Sequence, residues 1–155
     1  MEPFVEIFPG RVLRILEPSS AAAIETQWMN TFCHNKQGVN TRQYKWHIFS
    51  SGRYEALEGK LAVDAYERHS ATEFFVLSNS SQEVIVTDLR PQALSGTDCY
   101  VFPVNMAWTM AFTHEEDRLG PYFAKHRQYD RLEADNARLV KKQQQKEQAI
   151  KNGWL

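Results

Sequence analysis

Hydrophobic and polar positions alternate with two different periods along this chain. Residues 11–16, Arg-Val-Leu-Arg-Ile-Leu, form an extended apolar segment closed by Glu17-Pro18. Beyond it Ala21, Ile24, Trp28 and Phe32 line up on one helical stripe, which predicts a helix capped by Ser19 or Ser20 and ending near Phe32. Residues 4–8, between Pro3 and Pro9, fit only a short edge strand. Residues 34–41 read as a polar loop. Tyr44, Trp46 and Ile48 then alternate with Lys45, His47 and Phe49, predicting a strand on which His47 shares a face with Phe49 and not with Trp46. After a turn at 50–52, residues 54–69 suit a helix that buries Leu57, Leu61, Ala65 and Tyr66.

Strand patterns dominate from there. Residues 73–77 and 83–89 flank the turn at 78–81 and predict an antiparallel hairpin. Residues 90–97 read as a loop. Residues 99–104 form a strand that Pro103 assigns to an edge or a bulge, and residues 108–114 form another. Gly120-Pro121 ends that strand and suits the start of a long helix over residues 122–152. The last third of that helix, Lys141-Lys142-Gln143-Gln144-Gln145-Lys146, has no apolar face and should project. Tyr129, Leu132, Asn136 and Leu139 fit an a-d series that would allow a homodimeric coiled coil. The expectation is an α+β (or α/β) fold: a mixed, largely antiparallel sheet packed against helices, with a single domain over residues 1–126 and a basic helical extension over residues 127–155.

Charge adds an asymmetry to this picture. The 155 residues carry a formal net charge of -1, yet residues 1–124 hold 10 Lys and Arg against 15 Asp and Glu, and residues 125–155 hold 8 against 4. An acidic body disfavours nucleic acid as the main partner, because phosphate binding is driven by Lys and Arg. It suits a basic protein partner. Cys33 and Cys99 lack the spacing of a metal site and are too few for a disulfide framework. No stretch approaches the ~20 apolar residues of a membrane span, and the first residues lack a signal-peptide pattern. A cytoplasmic location is expected.

The densest titratable cluster is His114, Glu115, Glu116 and Asp117, followed by Arg118 and, after Gly120-Pro121, by Tyr122. A histidine beside a carboxylate is the material of acid/base catalysis, and His47 could join His114 and Glu115 in such a site. Consecutive residues of a strand point to opposite faces, however, so adjacency in sequence does not bring them together. Glu115, Glu116, Asp117, Arg118 and Tyr122 are therefore read as a contact surface. There is no phosphate-binding glycine loop, nucleophile elbow or metal-binding helix motif, so no cofactor and no metal are expected.

Several blocks occur together in order: residues 12–32, Trp46-His47-Ile48-Phe49-Ser50, Leu57-Glu58-Gly59, Thr113-His114-Glu115 and Gly120-Pro121-Tyr122-Phe123. This set, over residues 11–126, resembles a family of small bacterial proteins filed as a domain of unknown function. In size and acidity such proteins resemble immunity proteins. The resemblance implies a protein-binding module that neutralises a basic toxin domain by direct contact. The alternatives are a small hydrolase or transferase using His47 or His114 with Glu115, and an oligomeric scaffold built on the last helix.

Overall fold

The computed structural model describes residues 6–34, 41–42, 44–80, 83–95, 98–114 and 120–153 of the chain. Its elements run β1 (Glu6–Phe8), β2 (Val12–Ile15), α1 (Pro18–Phe32), α2 (His47–Ser50), β3 (Leu57–Glu58), α3 (Lys60–Glu67), β4 (Phe74–Ser78), β5 (Val84–Thr87), β6 (Ala93–Ser95), β7 (Cys99–Pro103), β8 (Trp108–Phe112), β9 (Tyr122–Lys125) and α4 (Tyr129–Lys151). Seven strands form one sheet in the order β2-β5-β4-β7-β8-β9-β3. All its pairings are antiparallel. A separate ribbon pairs β1 with β6. The fold is α+β, with the long C-terminal helix that the sequence suggests.

Both faces of the sheet are covered, which explains the unbroken apolar runs Phe74-Phe75-Val76-Leu77 and Val84-Ile85-Val86. An antiparallel sheet that faced water on one side would alternate. On one face Phe75, Leu77, Val86, Tyr100 and Phe102 meet Trp28 and Phe32 of α1 together with Trp46 and Phe49. On the other, Phe74, Val76, Val101, Trp108 and Phe123 meet Ala62, Ala65 and Tyr66 of α3, and Tyr129 and Leu132 of α4 pack against them. The α1 stripe holds as read, with Ala21, Trp28 and Phe32 buried and Ile24 packed at the margin. Trp28 sits against the rings of Phe32, Phe49 and Tyr100, and its indole N–H donates to Thr109 Oγ1 at 3.0 Å inside the core.

Several elements differ from the sequence reading. α1 starts at Pro18, with Glu17 at the cap and no side-chain cap bond; proline at the first helical position has no N–H to satisfy, so neither Ser19 nor Ser20 is needed there. Residues 44–49 are not a strand but a turn leading into α2: the amide of Phe49 donates to the Trp46 carbonyl at 2.9 Å and that of Ser51 to the His47 carbonyl at 3.0 Å. The helix expected over residues 54–69 shrinks to α3. Leu57 and Glu58 join the sheet edge, Gly59 turns the chain at φ 66°, and Leu61 is 64% exposed.

β6 occupies part of the stretch read as a loop. β7 is central rather than an edge, since β8 pairs only with residues 99–101 and Pro103 lies past that register.

The largest correction concerns Gly120-Pro121, which opens strand β9 and not the last helix. Apolar residues on both sheet faces make Tyr122-Phe123-Ala124 strand-like in context, whatever their helix propensity. α4 therefore begins only at Tyr129. Asn136 is buried against the body: its amide donates to Asn105 Oδ1 at 3.2 Å, and Asn105 in turn donates to the Leu132 carbonyl at 3.0 Å. Tyr129, Leu132 and Asn136 thus dock within the chain, while Leu139 and almost all residues after it are exposed.

The Trp28–Thr109 bond should be measurable by urea unfolding. Thr109→Val leaves a buried N–H unpaired and should cost about 1–3 kcal/mol. Combined with Trp28→Phe, which removes that N–H, it should cost less than the sum of the two single changes. Strict additivity would show that the bond contributes nothing.

Candidate functional site

The sheet brings the start of β7 and the end of β8 side by side, because Cys99 pairs with Phe112. Asp98 and Thr113-His114 consequently leave the sheet together. The Asp98 side chain is only 2% exposed, and its carboxylate is surrounded by donors. The backbone N–H of His114 donates to Oδ1 at 2.6 Å. Nδ1 of the same residue lies 2.9 and 3.0 Å from the two oxygens, so the ring carries its proton on Nδ1. From the other side the Trp46 indole N–H donates to Oδ2 at 2.7 Å. A buried carboxylate with this many donors fixes the geometry of everything bound to it.

Aromatic rings complete the site. Trp46 stacks between Tyr44 and Tyr122, with centroids at 5.3 and 6.1 Å and interplanar angles of 26° and 21°. The His114 ring lies 5.0 Å from Tyr44, and the His47 ring lies 5.4 Å from Tyr44 and 4.6 Å from Trp46. The turn at residues 44–46 is held by side chains where a strand would use a neighbour. Its Lys45 amide donates to Asn79 Oδ1 at 2.8 Å, its Trp46 amide donates to the Tyr100 hydroxyl at 3.0 Å, and that hydroxyl donates to Asn79 at 2.6 Å. Lys45 Nζ donates to the Asn79 carbonyl at 3.1 Å and lies 3.8 Å from Glu25. Burial lowers the Lys45 ammonium pKa, against the pull of Glu25. A small cavity of about 210 Å³ opens beside His114, lined by Tyr44, Asn79, Ser80 and Asp98.

The structure thus unites His47 and His114 about the same two rings, contrary to the face assignment drawn from a strand at residues 44–49. The carboxylate that meets His114 is Asp98. Glu115, Glu116, Asp117 and Arg118 lie outside the described residues. Tyr122 is buried in the stack and offers no contact surface.

Asp98 was not singled out in the sequence; an acid just ahead of the apolar run Cys99-Tyr100-Val101-Phe102 was the available signal. Gly120 also belongs to this corner. At φ +94° its backbone passes so close to Thr113 that a Cβ would sit 3.0 Å from the threonine side chain, as the residue without a Cβ permits.

Residues 12–123 match the family model described as Domain of unknown function (DUF4275). The chain belongs to this family. The match spans β2 through Phe123 and includes every residue of the Asp98 site, whereas α4 lies beyond it. No curated protein matches the chain, and no solved structure does. Among the described residues no group of three His, Cys, Asp or Glu is placed to hold a metal ion, and no helix is long and apolar enough to cross a membrane.

A further histidine is enclosed on the opposite sheet face. His69 Nδ1 donates to the Ala65 carbonyl at 2.5 Å, and Nε2 accepts from the Tyr129 hydroxyl at 2.5 Å. Burial lowers the His69 pKa, while the Ala65 carbonyl and Glu133 oppose that shift and Lys125 and Arg68 add to it.

Two outcomes follow from these contacts. Asp98→Ala strands the Trp46 indole and the His114 backbone N–H and should cost about 3 kcal/mol in a denaturant titration, against about 1–2 kcal/mol for His114→Ala, which leaves the other donors on the carboxylate. Equal costs would remove Asp98 from its central place. For His69 the folded state takes up a proton less readily than the unfolded chain, so its contribution is complete above the ordinary histidine value and is lost as pH falls below about 6.5. The unfolding midpoint should drop between about pH 7 and 5 and do so less in His69→Gln; an identical pH profile in that variant would refute the assignment.

Proposed function

We propose that this chain is a protein-binding module of the bacterial immunity type, which neutralises a toxin domain by covering it. The observation that carries the reading is the sheet end around Asp98: an aromatic and polar surface with only a small cavity. Its cavity of about 210 Å³ is smaller than the ~300–1,000 Å³ of ordinary small-molecule sites. The carboxylate, ringed by donors, serves to hold His114 at the rim, where its side chain is 44% exposed. Glu115, Glu116 and Asp117 follow directly in the sequence, and acidic groups of this kind favour fast, salt-sensitive association with a basic partner.

A second reading is favoured by one specific contact. Asp98 orients the His114 ring through Nδ1, as an acid partner does for a general base. Under this reading the pair would be Asp98 and His114, in place of the Glu115 pairing drawn from adjacency, in a small hydrolase or transferase.

Co-expression with a toxin domain encoded beside this gene separates the two readings. An immunity protein restores growth and forms a complex with it. Replacing Glu115, Glu116 and Asp117 by Ala should slow association at least about tenfold at low salt and much less at high salt. A toxin that stays fully active in the presence of the chain would sink the binding reading. Turnover of a chromogenic ester or phosphoester that disappears in His114→Ala would establish the enzyme instead.

A further inference from the structure

The opposite end of the sheet carries a second and larger cavity, of about 510 Å³. β8 and β9 run antiparallel with Trp108 opposite Lys125 and Ala111 opposite Tyr122, so Lys125 emerges at the far end of the strands from His114, roughly 20 Å away at strand spacing. The cavity is walled by Arg53 and Tyr54 on one side and by Lys125, His126 and Arg127 on the other, with Leu57 and Phe123 as apolar lining. We propose that this cleft binds a small phosphate ester, its phosphoryl group held by Arg53, Lys125 and Arg127 and its organic part lying over Leu57 and Phe123.

The charge balance of the cleft points to an anion. Among the described residues no carboxylate lies within ion-pair distance of Arg53, Lys125 or Arg127, and Glu55 is the sole acid lining the cavity. Cations gathered in a concave surface without counter-charges raise the local potential and attract anions. Two of the three charges are also held in place. Lys125 Nζ sits over the Tyr129 ring, 4.5 Å from its centroid. Arg127 donates to a ring nitrogen of His34. The Tyr54 hydroxyl donates to the Lys125 carbonyl at 2.5 Å and ties the two walls together.

The backbone amide of Gln128 donates to His126 Nδ1 at 2.9 Å, and burial together with Arg131 and Arg127 lowers the pKa of that imidazole. α4 starts at Tyr129, so the positive end of its dipole adjoins the cleft, with Asp130 in its first turn.

Two arginines favour phosphate over a simple carboxylate, since each planar fork can bind two oxygens of a dianionic group. The volume lies within the usual range for small ligands, ~300–1,000 Å³, and the apolar lining favours an ester over the inorganic ion. This binding is independent of the proposal for the His114 end, because the two sites share no residue and face away from one another along the strands.

Calorimetric titration of the full chain with phenyl phosphate and with inorganic phosphate tests the site. The expected result is saturable one-to-one binding, tighter for phenyl phosphate. Arg53→Ala and Arg127→Ala should each weaken it about tenfold or more, since each removes charge-assisted hydrogen bonds. Arg53→Lys and Arg127→Lys should weaken it less. Lys146→Ala, which removes a charge from the exposed part of α4, should leave it unchanged. Both arginines are exposed, and a urea midpoint equal to that of the parent chain confirms folding of each variant. The proposal is overturned by no saturable binding of either probe, by alanine variants that bind as the parent does, or by a glutamate-rich peptide that binds more tightly than phenyl phosphate.

Discussion

A buried carboxylate joins three parts of the chain that are far apart in sequence. Asp98 receives the indole of Trp46, the imidazole of His114 and the backbone N–H of His114. Burying a charge is costly unless donors surround it, and the surrounding structure can be read as the means of supplying them. The turn at residues 44–46 departs from extended geometry, the β7–β8 pairing brings His114 alongside, and Tyr44 and Tyr122 clamp the Trp46 ring from both sides. The sequence blocks around Trp46, His114 and Tyr122 therefore meet at a single point.

Coverage of the sheet on both faces is the second constraint. It demands apolar residues at consecutive positions of β4, β5, β7 and β8, and it confines polar and charged groups to the strand ends. The two ends consequently acquire different characters. One holds the Asp98–His114 pair and leads into an acidic stretch, and the other gathers Arg53, Lys125 and Arg127 around a cleft. The sequence shows a charge asymmetry between body and tail, but the structure places part of the basic set on the body itself, next to the start of α4. A uniformly acidic body is thus an incomplete description.

α4 divides at about Asn136. Before it, Tyr129, Leu132 and Asn136 are docked; after it, the helix is exposed over several turns. The a-d pattern that resembles a coiled coil is largely consumed by packing within the chain, and Asn136 serves as a polar anchor to Asn105.

The amino-acid sequence alone determined the α+β class, the α1 stripe through Trp28 and Phe32, the β4–β5 hairpin and the strand at residues 108–112. Those features rest on local periodicity, which needs no knowledge of neighbours. Tertiary structure decided the rest. Residues 44–49 alternate like a strand, yet the hydroxyl of Tyr100 and the amide of Asn79 satisfy their backbone and make a turn. Residues 122–125 have acceptable helix formers, yet a place between β8 and β3 makes them a strand.

The Asp98–His114 pairing could not be read from adjacency, because its partners are 16 residues apart and meet only when two strands fall into register. The basic cleft was equally invisible, since Arg53 and Arg127 come to line one cavity only because β3, which follows Arg53, pairs antiparallel with β9, which precedes Arg127.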